Sequence, residues 1–266
     1  MHLFSGRAAI RSSQAFSVIK TGGRLFCPLP RGKGAHPIPK QKLRCLHMKR
    51  LISRYPQCWV LLYFLLYLPW FYLLEQRDAS QCTIVQLRID HMIPFCEYFI
   101  IPYLLWFFYI AAGICYMLFT QPKERFYRFT GVLFGGMTVC LILYTFFFTG
   151  LNLRPHIDVD KNLFTQLVAR LWSVDTSTNV CPSIHVFATM AVQSALTQCR
   201  FDLRHPVLYR GSTVLSVLIV LSTMFLKQHS VLDVVCAFLL LWTMHRAIYG
   251  AAPVYTPSRR LTYQRS

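Results

Sequence analysis

A chain of 266 residues that is 55% hydrophobic and only 14% charged, with 21 Phe and 14 Tyr, is no ordinary water-soluble domain, disordered tail protein or secreted disulfide scaffold. Its net charge of +18 is concentrated: residues 1–54 hold twelve of the 28 Lys and Arg and no Asp or Glu. On so apolar a chain that charge points to a membrane and not to nucleic acid.

Residues 1–47 are rich in Gly, Pro, Ser and basic residues, with neither sustained periodicity nor an apolar run long enough for a signal peptide, and read as a disordered extension. Met48-Lys49-Arg50 reads as the natural start and residues 1–47 as an over-extended gene model; a polybasic arm on anionic lipid is the alternative. From there a spanning helix needs about 20 mostly apolar residues, because the bilayer core satisfies no free backbone amide. Six stretches meet or approach that length: 58–74, 98–119, 131–149, a shorter one rich in small residues at 183–196, then 211–226 and 230–249. The expected fold is therefore all-α, a six-helix integral membrane bundle over 48–250, with 251–266 as a cytoplasmic tail.

Basic residues in the short loops set the orientation. Lys49, Arg50 and Arg54 precede the first span; Lys123, Arg125 and Arg128 sit between the second and third; Arg200, Arg204 and Arg210 sit between the fourth and fifth; Arg246, Arg259, Arg260 and Arg265 follow. The alternate loops, 75–97 and 150–182, are neutral or acidic. Both termini are thus expected in the cytoplasm of a multi-pass protein of the cell membrane. Of the ten Cys, none in a Cys-x-x-Cys pair, Cys82 and Cys181 fall on one side, where a disulfide is conceivable.

Ionisable groups beside spans invite a functional reading, and here they gather at one level. His185 lies in the first turn of the fourth span; His229 opens the sixth; Arg154 follows the third. Asp233, four residues after His229, shares its helix face and can hold one imidazole nitrogen protonated, leaving the other as nucleophile. The helix N-terminus at Ser183 suits a phosphate, with Arg154 and Lys227 as compensating cations. Two His and one Asp make a thin zinc set, so no metal and no cofactor is expected. Taken singly, either His reads as a solvated membrane-edge residue and Arg154 as a helix anchor.

The pattern resembles the type 2 phosphatidic acid phosphatase superfamily, six-helix membrane enzymes with three motifs: Lys, six residues, Arg-Pro; Pro-Ser-Gly-His; and Ser-Arg, five residues, His, three residues, Asp. Over about 55–250 the chain matches Arg154-Pro155, Pro182-Ser183 with His185, and Ser222 with His229 and Asp233. It departs at Phe147, Ile184 and Thr223, where the family has Lys, Gly and Arg. These losses look closer to the branch of sphingomyelin and inositol phosphorylceramide synthases. The resemblance implies a phosphohistidine on His229, charge-stabilised by Asp233, with His185 protonating the leaving oxygen and Ser183 and Arg154 holding the phosphate; Lys227 as a replacement cation is our addition.

The expected function is a phosphatase or phosphotransferase acting on a lipid or lipid-linked phosphate at the extracytoplasmic face. A headgroup transferase of the synthase type is the alternative, and a catalytically inactive lipid-binding protein the second. A transporter fits less well, for want of paired half-helices or an inverted repeat.

Overall fold

Where apolar side chains run for a bilayer's width, the backbone can satisfy its own polar groups only by coiling, and these stretches are helices. The computed structural model describes residues 55–250, so the readings of 1–47, of a start at Met48 and of the 251–266 tail lie outside the described residues. Nine helices are numbered in chain order. A 3-10 segment, Pro56–Tyr63, runs into α1 (Phe64–Glu75), followed by the short α2 (Arg88–Met92). Then come α3 (Ile100–Thr120), α4 (Lys123–Phe146), α5 (Leu163–Val174), α6 (Ile184–Gln198), α7 (Phe201–Arg204), α8 (Pro206–Phe225) and α9 (Val231–Tyr249).

Among the described residues, five helical segments are long and apolar enough to cross a membrane: Pro56–Glu75, Glu97–Thr120, Lys123–Phe146, Pro206–Phe225 and Val231–Tyr249. That fits a multi-pass membrane protein. The expected fourth span differs. At 15 residues α6 is about 22 Å long, short of a hydrocarbon core of about 30 Å. It lies at the centre, packed against α3, α4, α8 and α9, with Val186, Phe187, Ala188 and Thr189 fully buried. Two glycines admit it: a Cβ at Gly136 would lie 1.9 Å from Phe187 Cζ, and one at Gly113 would lie 2.5 Å from Val192 Cγ1.

Boundaries shift for physical reasons. The expected third span starts eight residues early, at Lys123, so Lys123, Arg125 and Arg128 belong to the first turns of α4 and not to a loop. There Glu124 and Arg128 pair across one turn at 2.6 Å while Phe126 and Phe129 are buried on the other face. Similarly, α8 starts at Pro206, a proline in the first turn, and takes in Arg210.

The ends of α1, α4 and α8 and the starts of α3, α6 and α9 share one end of the bundle. Two loops cover it. The first, before α3, carries strand β1 (Thr83–Ile84), which pairs in parallel with β2 (Thr149–Gly150) of the second. Within the second, α5 is an addition to the expected architecture: Asn162 caps it by accepting from Thr165 N at 2.9 Å, and it packs Val168 inward while showing Gln166 and Arg170 outward. Cys82 and Cys181 are both free thiols and not a disulfide.

Candidate active site

His229 is delivered by a tight turn between α8 and α9. Its amide and that of Gln228 both donate to Thr223 O, at 3.0 and 2.9 Å, and Lys227 turns the chain with a φ of 59°. Serine caps then start both helices that carry the site: Ser183 Oγ accepts from Val186 N at 3.3 Å, and Ser230 Oγ from Leu232 N at 3.1 Å. The two N-termini are tied together, because Ser183 N donates to Asp233 O at 3.2 Å.

This tie brings the histidines together across 44 residues of sequence. His229 Nε2 lies 3.4 Å from His185 Nδ1, with the ring centroids 5.6 Å apart. Around the other His229 nitrogen stand two acceptors. Val180 O is 3.1 Å from Nδ1 and Asp233 Oδ2 is 3.5 Å from it. Both demand a proton on Nδ1, which leaves the lone pair on Nε2, the nitrogen facing His185. The His185 ring is wedged between Tyr103 and Trp106, with centroids 4.8 and 4.5 Å away, and Trp106 Nε1 donates to the His185 carbonyl at 3.2 Å.

The remaining candidates are placed less directly. Asp233 is fully buried, and its Oδ2 also accepts from Ser230 N at 2.8 Å, so the carboxylate caps α9 as well as facing His229. Ser183 is fully buried as the cap of α6. Arg154 donates from Nη1 to Trp172 O at 3.1 Å, and from Nη2 to Asp175 O at 2.6 Å and to Gln228 Oε1. Its Nε is buried without a partner, and burial lowers the guanidinium pKa while the Asp175 carboxylate opposes that. Arg154 thus braces Gln228, the neighbour of His229.

Lys227 does not join this group. Its ammonium turns the other way, donating to Asp90 O at 2.7 Å and to Ile93 O, so the structure does not bring it to the histidines. A positive φ next to a tight turn sends the side chain to the opposite side from His229. Burial lowers its pKa, with the Asp90 carboxylate opposing.

Both histidines line the polar end of a cavity of about 530 Å³ whose remaining wall is almost entirely hydrocarbon. Of the other polar residues that line it, Glu75, Asp175 and Gln228 carry no motif legible in the sequence. Asp175 Oδ2 accepts from the Tyr103 hydroxyl and from Gln228 Nε2, the latter at 3.1 Å. Glu75 accepts from Thr176 Oγ1 at 2.6 Å and from Asn179 Nδ2 at 2.8 Å. Among the described residues, no group of three or more His, Cys, Asp or Glu could hold a metal ion.

No family model, curated protein or solved structure matches the chain.

Proposed function

We propose that the chain is an integral membrane lipid phosphate phosphatase or phosphotransferase that works through a phosphohistidine on His229. The observation that carries this is the 3.4 Å approach of His229 Nε2 to His185 Nδ1 at the polar end of an apolar cavity. In this reading the two rings part from their hydrogen-bonded approach to admit the phosphate against both of them, and a hydrocarbon chain occupies the rest of the cavity. His229 Nε2 attacks phosphorus, the ester P–O bond breaks, and protonated His185 gives its proton to the departing oxygen. Water or an alcohol then attacks the phosphohistidine, yields its proton to His185 and frees His229. The leading amides of α6, at Ile184 and His185, precede the first intrahelical backbone bond, Phe187 N to Ser183 O at 3.0 Å, and are available to phosphate oxygens.

α6 serves as the fourth of six spans, shielded from lipid by its neighbours. The site then faces outward, a reading supported by the basic residues at the opposite end.

Transfer to an alcohol is the second reading, and one observation favours it. Glu75, Asp175 and Gln228 lie beside His185 in the cavity, and these acceptors suit the hydroxyls of a polyol or lipid alcohol.

The test is turnover of a panel of lipid phosphates by purified protein in vesicles, with and without alcohol acceptors. Phosphate release or transfer persists in EDTA, falls more than about 10³-fold in His229→Ala, and survives in His91→Ala. Equal activity in the two variants overturns the site, and inert wild type across the panel leaves a lipid-binding protein.

A further inference from the structure

The cavity lies between the first helical segments and α3. At the end of the bundle away from the histidines, Tyr55 and Phe119 meet edge to face with centroids 5.1 Å apart, and Gln57 Nε2 donates to Leu118 O at 3.4 Å. The start of the first helical segment is thereby tied to the end of α3. Toward the histidines the two helices part, and the cavity fills the gap between them, bounded at depth by Leu61, Ile114 and Cys115.

Its dimensions can be compared with a hydrocarbon chain in two independent ways. From Tyr103, against His185, to Cys115, twelve residues on, α3 rises about 18 Å at 1.5 Å per residue. An extended chain advances roughly 1.2 Å per single bond, as the polypeptide does over three bonds per residue, so about 15 carbons span that depth. By volume, 530 Å³ holds about 18 groups of the ~30 Å³ that a water occupies in the liquid, and a methylene is of similar size. Length and volume agree on one chain.

We infer that the cavity is a binding site for a single hydrocarbon chain of about 15 to 18 carbons, and that Leu61 and Cys115 set its upper length. This rests on the phosphohistidine reading only for what stands at the polar end. The phosphorus at the histidines fixes one end of the chain, and the Tyr55–Phe119 contact, one helical turn beyond Cys115, closes the gap between the helices at the other, so a longer chain must leave through the open side between α1 and α3, where Cys115 is exposed. A one-chain substrate, or one chain of a two-chain lipid, is the ligand class.

The test uses full-length protein and n-alkylphosphonates of 12 to 24 carbons, whose C–P bond is not hydrolysed, with affinity read by native mass spectrometry. Affinity rises by roughly fourfold per buried methylene up to about 16 carbons and then stops rising. Cys115→Trp lowers that ceiling by about four carbons. Leu61→Ala raises it by two or more, a gain that misfolding cannot produce. Val217→Trp, on the exposed face of α8, leaves it in place. Affinity that climbs steadily to 24 carbons, or one ceiling shared by all variants, overturns the inference. Turnover of the matching n-alkyl phosphates separates the two claims. A ceiling without turnover sinks the phosphotransfer reading alone; turnover without a ceiling sinks the chain-length site alone.

Discussion

At the level of single residues, the deciding contact at His229 is a backbone carbonyl. The spacing of His229 and Asp233 is visible in the sequence, and the helix does put the carboxylate near Nδ1. Yet Val180 O is nearer, at 3.1 Å against 3.5 Å, and a carbonyl 49 residues away leaves no trace in a motif. This bears on the size of one effect. Removing the orienting carboxylate of a triad can cost about 10⁴-fold where nothing else holds the tautomer. Here Val180 O still takes the Nδ1 proton, so Asp233→Asn should slow turnover only about 10- to 100-fold, with helical circular dichroism unchanged; a 10⁴-fold fall would give the tautomer to Asp233. Lys227 teaches the converse. Its position two residues before His229 suggests a phosphate cation, but its hydrogens go to Asp90 O and Ile93 O. Lys227→Met should therefore cost about 1–3 kcal/mol of stability, read as a lower Tm, and leave KM for the lipid phosphate unchanged.

Among elements, the apolar runs were legible and their ends were not. A hydropathy run stops at the first charges, whereas a helix continues while one face stays apolar, as α4 does through Arg125 and Arg128. α5 went unread for a related reason: a twelve-residue amphipathic helix carries no spanning signal, and its cap, Asn162 on Thr165 N, is a local contact within what reads as an acidic loop. The start of α9 is held by a residue that sequence reading passed over. Asp90 accepts from Ser230 Oγ at 2.7 Å and from Val231 N at 2.8 Å, a carboxylate at a helix N-terminus. Since Lys227 reaches back to the carbonyl of the same residue, the turn bearing His229 is clamped from both sides. Asp90→Ala strands three donors, Ser230 Oγ, Val231 N and Leu87 N, and should destabilise the protein by about 2–4 kcal/mol. The check is a double-mutant cycle with Ser230→Ala, in which the two losses should be less than additive.

For the molecule as a whole, the bundle is organised around α6, and the two glycines facing it set how closely α3 and α4 approach. Gly136→Ala drives a methyl into the Phe187 ring, and the expected loss is about 1–3 kcal/mol, from overpacking. It should appear as lower thermal stability in detergent, with the chain-length preference retained. The enclosure of α6 was not legible, because the small residues that mark it, Ala188, Ala191 and Ala195, read only as weak hydropathy.

That enclosure also has a consequence for biosynthesis. A segment of 15 residues with His185 near its start and Gln193 within it gains too little from lipid to leave the translocon unaided. Its partners α8 and α9 are synthesised after it, so its membrane position must wait for them. A nascent chain arrested before Pro206 should hold residues 184–198 outside the bilayer, open to a water-soluble maleimide at an introduced thiol. The same thiol should become protected once α9 has emerged, and the two histidines would then meet only on the completed chain.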